Sequence, residues 1–243
     1  MDLNGRKIWV VGASSGIGAA LAQELNARGA QVAISARRED KLKEVAGRDL
    51  TVCPIDVTDS DSVLRATDTV IRQLDGLDIV VFSAGYWAQM DEFDATSFGK
   101  HLDVNLRGLA NTLESVIPRL RGGGMIVGIA SVAGYRGLPG AEAYGATKAA
   151  QINLLEALRA KLRPDGIDVL TVCPGFVETE MTETNSFPMP FIIKPGQAAQ
   201  AIADGIERQS ARIVFPWPMA VLMRFAKLVP DRLWALALTP GRG

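Results

Sequence analysis

The stretch VVGASSGIGAALAQEL, residues 10–25, connects a short apolar run to a helical period through a turn rich in glycine. Its glycines Gly12, Gly16 and Gly18 have the spacing G-x-x-x-G-x-G. Such a turn brings the backbone close to a phosphate group, and the N–H groups that start the next helix then face that group. We therefore predict a dinucleotide-binding turn, with simple turn chemistry as the alternative. The cofactor contacts expected in it are Gly12, Ser14, Ser15, Gly16, Ile17 and Gly18.

The alternation of strand and helix continues along the rest of the chain. Short runs rich in β-branched residues predict seven strands, at 7–11, 31–35, 50–54, 78–82, 125–129, 168–172 and 212–215. These runs are almost continuously apolar, as strands are when helices cover both faces of a sheet. Helical periods lie between them, for example Ile17, Leu21 and Leu25. This pattern predicts an α/β, doubly wound parallel sheet, which binds ligands at the carboxyl ends of its strands.

Length and composition restrict the class of protein. The 243 residues, of which 48% are apolar, predict a globular chain that we interpret as a single domain over 1–243. A formal net charge of −1, with Lys and Arg spread along the chain, argues against a nucleic-acid partner. The sequence has neither a secretory signal nor a transmembrane run, so we expect a cytoplasmic protein. Two cysteines, Cys53 and Cys173, and one histidine argue against a metal site.

The residues after the second and third strands predict the type of cofactor. Folds that prefer NAD usually have an acidic residue after the second strand, but here the residues are Ala36, Arg37 and Arg38. A guanidinium suits a 2′-phosphate, so we expect NADP(H), bound mainly through Arg37. The alternative is that both arginines are solvated residues at a helix start. Asp56, followed by Val57, is expected to accept a hydrogen bond from the adenine amino group or to cap a helix.

Several motifs occur in order between about residues 5 and 215. They are GASSGIG (12–18), DVT (56–58), SAG (83–85), DVNLRG (103–108), the segment 128–150 that contains YGATK, and CPGFVET (173–179). Together they resemble the short-chain dehydrogenase/reductase family. The resemblance implies a Rossmann-like fold and nicotinamide-dependent interconversion of a carbonyl and an alcohol. Matched position by position, it implies the catalytic set Asn105, Ser131, Tyr144 and Lys148.

Tyr144 and Lys148 lie one helical turn apart, and the implied chemistry explains this spacing. Hydride delivered to a carbonyl leaves an alkoxide that needs a proton, and a phenol of pKa about 10 needs help to serve as donor and base. We expect Lys148, together with the positive charge of the oxidised nicotinamide and the helix dipole, to lower the pKa of Tyr144, which acts as acid in reduction and as base in oxidation. By resemblance, Lys148 also holds the nicotinamide ribose. The alternative is an ordinary surface pair.

The other two members of the set have supporting roles. Ser131 is expected to donate a hydrogen bond to the substrate oxygen as charge develops there. The resemblance implies that Asn105 holds a water molecule linking Lys148 to solvent. The alternatives are a serine that caps the core and an amide on a helix surface.

The resemblance also implies cofactor contacts elsewhere, at Ala84, Gly85, Pro174, Gly175, Val177 and Thr179. The sequence departs from the family pattern at two places. Val11 replaces a threonine, so a hydrogen bond near the glycine turn is expected to be missing. Phe82 and Ser83 replace two asparagines, which puts the usual cross-sheet hydrogen bonds in doubt.

Residues 179–195 correspond to a mobile lid in the family. The side chains of Phe187, Met189, Phe191 and Ile192 would give this lid an apolar lining and favour a partly apolar substrate. A packed loop is the alternative. His101, in a polar helix start, is interpreted as a solvated side chain without a catalytic role.

The chain end, 215–243, predicts a short apolar helical extension. Val221, Leu222, Phe225, Leu228 and Val229 form one helical stripe, and a second short helix follows Pro230. Pocket covering, a subunit contact and a membrane surface are the open roles for residues 215–238, but Arg224 and Lys227 are few for attraction to an anionic surface. We expect a homodimer or homotetramer in which Trp217 and Trp234 anchor a subunit contact.

The sequence therefore predicts an oxidoreductase that transfers hydride between NADPH and a small ketone or aldehyde, as a carbonyl reductase or alcohol dehydrogenase. One alternative is a 3-ketoacyl-carrier-protein reductase, although the chain end differs from those relatives. Another is a nucleotide-sensing binding protein that has lost catalysis, which the intact catalytic set argues against.

Overall fold

Seven parallel strands form the central sheet of the computed structural model, which describes residues 1–120, 123–183, 185 and 187–239. The strands are β1 (Lys7–Val11), β2 (Gln31–Ser35), β3 (Thr51–Val52), β4 (Ile79–Phe82), β5 (Gly124–Ile129), β6 (Ile167–Pro174) and β7 (Arg212–Phe215). Their order across the sheet is β3-β2-β1-β4-β5-β6-β7. The predicted seven-stranded parallel sheet is confirmed. Its order reverses between β1 and β4, where ligands bind in doubly wound sheets.

Ten helices lie in the described ranges. They are α1 (Gly16–Ala27), α2 (Glu39–Ala46), α3 (Ser60–Leu74), α4 (Ala95–His101), α5 (Gly108–Val116), α6 (Glu142–Leu162), α7 (Glu180–Glu183), α8 (Pro195–Glu207), α9 (Trp217–Ala226) and α10 (Asp231–Leu238). A π-helical turn, Leu102–Arg107, joins α4 to α5.

Two apolar layers cover the sheet, because successive strand side chains point to opposite faces. Ile8 and Val10 lie in a buried cluster with α1 and α8, whereas Trp9 and Val11 lie in a cluster with α3, α5 and α6. Full burial of a Leu, Ile or Val side chain contributes about 1.5–3 kcal/mol. The continuous apolar runs in the sequence are thus explained by helices on both faces, and the predicted doubly wound fold is confirmed.

Most helix and strand ends follow local sequence signals, but the structure differs from the sequence predictions at Asp56 and in the length of β3. Asp59 caps α3, since its carboxylate accepts hydrogen bonds from the N–H groups of Asp61 and Ser62. The alternative in which Asp56 caps a helix is therefore wrong. β3 is shorter than the predicted run 50–54, but its pairing continues beyond Val52, because the Cys53 N–H donates to the Ile34 carbonyl at 3.0 Å.

The apolar extension packs on the domain through a different face from the predicted stripe. Met219, Met223 and Ala226 of α9 are buried. The predicted stripe faces outward, with Phe225 65% and Leu228 78% exposed. No helix in the described ranges is both long and apolar enough to cross a membrane.

Trp234 of α10 packs on the protein's own loop rather than facing outward as a subunit anchor. Its indole N–H donates to the Gly137 carbonyl at 2.9 Å, and the Arg136 guanidinium lies over its ring. Trp217, the other predicted anchor, is 77% exposed.

Candidate active site

A cleft of about 530 Å³ opens at the carboxyl ends of the strands. Its walls come from the β1–α1 turn, from the ends of β2, β4, β5 and β6, and from the start of α6. All but one of the predicted site residues line it. These are Gly12, Ser14, Ser15, Gly16, Ile17, Gly18, Arg37, Asp56, Val57, Ala84, Gly85, Ser131, Tyr144, Lys148, Pro174, Gly175, Val177 and Thr179. Asn105, the exception, lies buried behind the wall.

The glycine turn packs too closely for side chains at two positions, against the chain after β4 at Gly12 and against the turn itself at Gly18. A Cβ on Gly12 would lie 2.3 Å from the Ala84 nitrogen, and one on Gly18 would lie 2.2 Å from the Gly12 carbonyl oxygen. Gly12 also has a φ of +91°, which favours glycine. The glycines thus allow the turn to pack closely on itself and on the chain after β4, and the turn lines the cleft where a phosphate would approach its backbone.

The replacements at Val11 and at Phe82–Ser83 leave the backbone pairing between β1 and β4 intact. The Ser83 N–H donates to the Val11 carbonyl at 2.8 Å. Phe82 is buried in the cluster beneath α5 and thus contributes apolar packing in place of a polar contact. The connection between these strands depends on main-chain atoms at this position.

Arg38, rather than Arg37, reaches the glycine turn. Its Nη2 donates to the hydroxyls of Ser14 and Ser15 at 3.1 Å and forms an ion pair with Glu180 at 2.9 Å. Burial acts to raise the pKa of the Asp56 carboxyl, but hydrogen bonds from the backbone and hydroxyl of Thr58 lower it below its usual value, and the charge of Arg37 adds a smaller lowering. Sequence reasoning missed Glu180 because its partner is 142 residues away.

Tyr144 lies in the cleft wall beside Ser131. Burial raises the pKa of Tyr144 to about 12, and the neighbouring Ser131 hydroxyl opposes this shift. Ser131 is buried at the end of β5, where its oxygen accepts a hydrogen bond from the Ala133 N–H at 3.1 Å. Ser131 caps a short turn, as the alternative interpretation expected, and it also lines the cleft beside the phenol.

Lys148 is 3% exposed and donates to the Ile129 carbonyl at 2.8 Å and to Gln151 Oε1 at 3.0 Å. Burial lowers its pKa to about 7. Burial raises the pKa of Tyr144 in this structure, and Lys148 directs its hydrogen bonds elsewhere, so the lowering of that pKa by Lys148 stays a prediction. The Lys148 amine instead lies over the Tyr144 ring, 5.5 Å from its centre.

Asn105 lies in the π-helical turn and is fully buried, so the interpretation as a surface amide is wrong. Its Oδ1 accepts from the Tyr86 N–H at 2.7 Å, and its Nδ2 donates to the Thr147 hydroxyl at 2.9 Å. Its carbonyl accepts from Gln151 at 2.6 Å, which connects it to Lys148. Asn105 thus ties the loop after β4 to α6, and its role toward a water molecule stays a prediction.

Two side chains position the loop after β4: Trp87, which sequence reasoning missed, and His101, which it misplaced. Trp87 meets the edge of the Tyr144 ring at 5.2 Å between centroids, and its indole donates to Asn185 at 3.0 Å. His101 is buried rather than solvated as predicted, and its Nε2 accepts a hydrogen bond from the Ala88 N–H at 3.2 Å. An isolated Trp or His carries no sequence pattern that would have identified either role.

The predicted lid contributes different residues from those expected. Thr179, Glu180, Met181 and Thr182 line the cleft, whereas the predicted apolar lining does not. Phe187 packs against Phe176, with 6.0 Å between ring centroids, and Phe191 is 51% exposed. The isolated bridge between Val177 and Ile193 holds the end of this segment against the chain after β6.

Cys53 and Cys173 are both buried free thiols, and burial raises the pKa of each. Over the described ranges, no group of three or more His, Cys, Asp or Glu side chains is arranged to hold a metal ion.

Comparison with known sequences identifies relatives over nearly the whole chain. Residues 6–188 match the family described as short chain dehydrogenase. An uncharacterized oxidoreductase of Myxococcus xanthus is 38% identical, with 97% of this chain and 97% of the relative covered. An uncharacterized oxidoreductase of Mycobacterium tuberculosis strain H37Rv is 32% identical over 94% of this chain and 95% of its own.

Solved structures share the fold. A short chain dehydrogenase from Burkholderia cenocepacia J2315 in complex with NADP has a TM-score of 0.88 at 26% identity, with 99% of this chain and 100% of that chain covered. A variant of actinorhodin polyketide ketoreductase with NADPH has a TM-score of 0.77 at 26% identity, over 86% of this chain and 95% of that chain.

Proposed function

The chain belongs to the short-chain dehydrogenase/reductase family of oxidoreductases, and on this basis we propose that it reduces a ketone or aldehyde with NADPH. One observation carries the proposal: Ser131, Tyr144 and Lys148 line the same cleft as the glycine turn. A proton donor therefore lies within reach of any dinucleotide that binds across this turn. The proposed cofactor contacts are the predicted residues of the cleft wall, with Arg38 added to Arg37.

The residues of the cleft fit NADP(H). The glycine turn lines the cleft at the start of α1, where backbone N–H groups can face a diphosphate, and the Ser14 and Ser15 hydroxyls add hydrogen-bond donors. Arg37 and Arg38 supply planar cations that suit a 2′-phosphate. The structural relatives described with NADP and NADPH support the same cofactor. When bound, NADPH supplies the hydride.

Tyr144 is proposed as the general acid. With a pKa near 12 its phenol carries its proton at neutral pH, as an acid for reduction must. Ser131 donates a hydrogen bond to the substrate oxygen, so the developing negative charge is shared before the proton moves. Tyr144 then gives its proton to that oxygen, and the resulting phenolate is stabilised by the nearby Lys148 once the amine is protonated.

Lys148 has two proposed roles that follow from its burial. Hydrogen bonds to the Ile129 carbonyl and to Gln151 Oε1 fix the amine at the cleft wall, where it can hold ribose hydroxyls. Because its pKa is about 7, the amine can take up or release a proton in the neutral range. Asn105 acts on this amine through Gln151, and it holds the loop that carries Trp87 against Tyr144.

A 3-ketoacyl thioester is a second candidate substrate class. The observation that favours it is the similarity to a polyketide ketoreductase with NADPH. Reduction of such a substrate needs the same acid and the same cofactor, so the cleft residues described above do not separate the two classes. A direct comparison of substrates separates them.

The proposal is tested by oxidation of NADPH or NADH across a panel of ketones, aldehydes and 3-ketoacyl thioesters. We expect carbonyl-dependent oxidation of NADPH, with higher kcat/KM than with NADH. Tight binding of NADPH without turnover of any carbonyl would favour the nucleotide-sensing alternative. A failure to bind either dinucleotide would contradict the proposal altogether.

A further inference from the structure

We propose that Glu180 competes with the 2′-phosphate of the cofactor for Arg38, and that this competition tunes the preference for NADPH over NADH. The inference rests on the proposed function and concerns the same cleft. Arg38 lies in the linker from β2 to α2, and Glu180 is the first residue of α7. Their ion pair therefore joins two separate walls of the cleft.

The Arg38 guanidinium has the surroundings of a phosphate-binding group. It contacts two hydroxyls of the glycine turn, Ser14 and Ser15, at 3.1 Å. These hydroxyls can rotate to donate to an anion, since a serine hydroxyl is both donor and acceptor. Arg38, Ser14 and Ser15 therefore form one cluster of donors beside the turn, and Glu180 is its acidic partner.

The position of Glu180 makes simultaneous binding of both anions to Arg38 unfavourable. Its carboxylate lies 2.9 Å from the same Nη2 atom that contacts the serines. A phosphate that takes this nitrogen would approach the carboxylate, and like charges repel at such distances. A phosphate monoester carries a charge of about −1.5 to −2 and three acceptor oxygens, so it is the stronger acceptor for Arg38.

The ion pair is also exposed enough to exchange. The side chains of Arg38 and Glu180 are 46% and 51% exposed, so water can solvate either partner when they separate. Exposed ion pairs contribute little to stability, so breaking this one costs the fold little. The pair is thus suited to regulate binding rather than to hold the domain together.

Release of Glu180 would also loosen the cover over the glycine turn. Thr179, the residue before Glu180, lies directly against the turn, because a Cβ on Gly16 would come within 3.0 Å of its methyl group. A dinucleotide with a 2′-phosphate has to displace the carboxylate from Arg38, whereas NADH can bind without breaking this ion pair, so Glu180 weakens the binding of NADPH alone. Glu180 thereby selects between the two cofactors.

The test is calorimetric titration of the wild type and of Glu180→Gln with NADPH, NADH, adenosine 2′-monophosphate and adenosine 5′-monophosphate. We expect Glu180→Gln to bind the two ligands with a 2′-phosphate about three- to fivefold tighter, and the other two within about twofold of wild type. Glu183→Gln is the matched control, since it removes an exposed acid from the same short helix. The double variant Glu180→Gln with Arg38→Gln should lose the gain, because the competition requires both partners.

Three outcomes overturn the inference. If wild type binds NADPH but Glu180→Gln binds it no more tightly, Glu180 does not compete, and the proposed function still stands. If all four ligands bind Glu180→Gln more tightly by the same factor, Glu180 restricts access to the cleft and does not compete with the 2′-phosphate. If wild type binds no dinucleotide, the proposed function fails together with this inference.

Discussion

The amine of Lys148 lies over the Tyr144 ring, 5.5 Å from its centre, and gives its hydrogen bonds to other partners. The two side chains therefore interact through the electric field rather than through a direct hydrogen bond between amine and phenol. Burial holds the pKa of the amine at about 7. The field that acts on the phenol consequently changes as the amine titrates near neutral pH.

The stability of the protein should carry the signature of this buried amine. The pKa of Lys148 falls from 10.5 to about 7 on folding, so between these values the unfolded chain binds more protons and the free energy of unfolding rises with pH. Below pH 7 the amine is protonated in both the folded and the unfolded chain, so the cost of burying its charge no longer changes with pH. From pH 7 to pH 10, the free energy of unfolding of wild type should rise by roughly 2–4 kcal/mol relative to that of Lys148→Met.

Urea unfolding of both proteins across this pH range measures the difference. Lys161→Met, at an exposed position of α6, is the control and should remain parallel to wild type. If the difference in the free energy of unfolding between wild type and Lys148→Met does not change with pH, folding does not lower the pKa of Lys148.

Cofactor preference should depend more on Arg38 than on Arg37. Arg38 contacts both serines of the glycine turn, whereas Arg37 lies near Asp56. We expect Arg38→Gln to weaken NADPH binding about tenfold and NADH binding little, since it removes charge-assisted hydrogen bonds to the 2′-phosphate. Arg37→Gln should have the smaller effect. The reverse order in direct binding measurements would restore Arg37 to the role that the sequence predicted.

Trp87 should determine how tightly apolar carbonyl substrates bind. Its ring contacts Tyr144 and its indole holds Asn185, so it forms a wall between the acid and the lid segment. Trp87→Ala should raise KM for substrates with a bulky apolar group about tenfold and leave NADPH affinity within about twofold. Phe93→Ala removes an exposed aromatic side chain outside the cleft and serves as the control. An unchanged KM would remove Trp87 from the substrate site.

The sequence predicted the fold and nearly all of the cleft wall because both depend on local patterns. Strand runs, helical periods and the glycine turn act over a few residues, and the family motifs occur in the expected order. The errors concern tertiary contacts. The partners of Arg38 and of His101 come from segments that are distant in the chain or follow no motif. The assignment of the chain to a single domain stays a prediction.

The outward face of α9 should be covered by a second copy of the chain. Trp217 and Phe225 alone expose on the order of 300 Å² of aromatic surface, and Val221, Leu222 and Leu228 extend this face. Monomers rarely expose a contiguous apolar patch of more than a few hundred Å². The pair Phe225→Glu and Leu228→Glu should therefore lower the mass measured by light scattering.

Phe93→Glu, at another exposed aromatic side chain, is the control for this measurement and should keep the wild-type mass. If the double variant keeps the wild-type mass but no longer co-sediments with liposomes, the outward face of α9 contacts a membrane rather than a second subunit. All three substituted side chains are exposed, so the substitutions should not prevent folding.

The assignment of Tyr144 as the proton donor is tested most directly by Tyr144→Phe, with NADPH binding and carbonyl-dependent turnover measured on the same preparation. Tyr135→Phe removes a phenol outside the cleft and is the matched control, which should keep wild-type turnover. We predict that Tyr144→Phe binds NADPH within about twofold of wild type and loses at least about two orders of magnitude in kcat. Turnover comparable to wild type at saturating substrate would contradict the account.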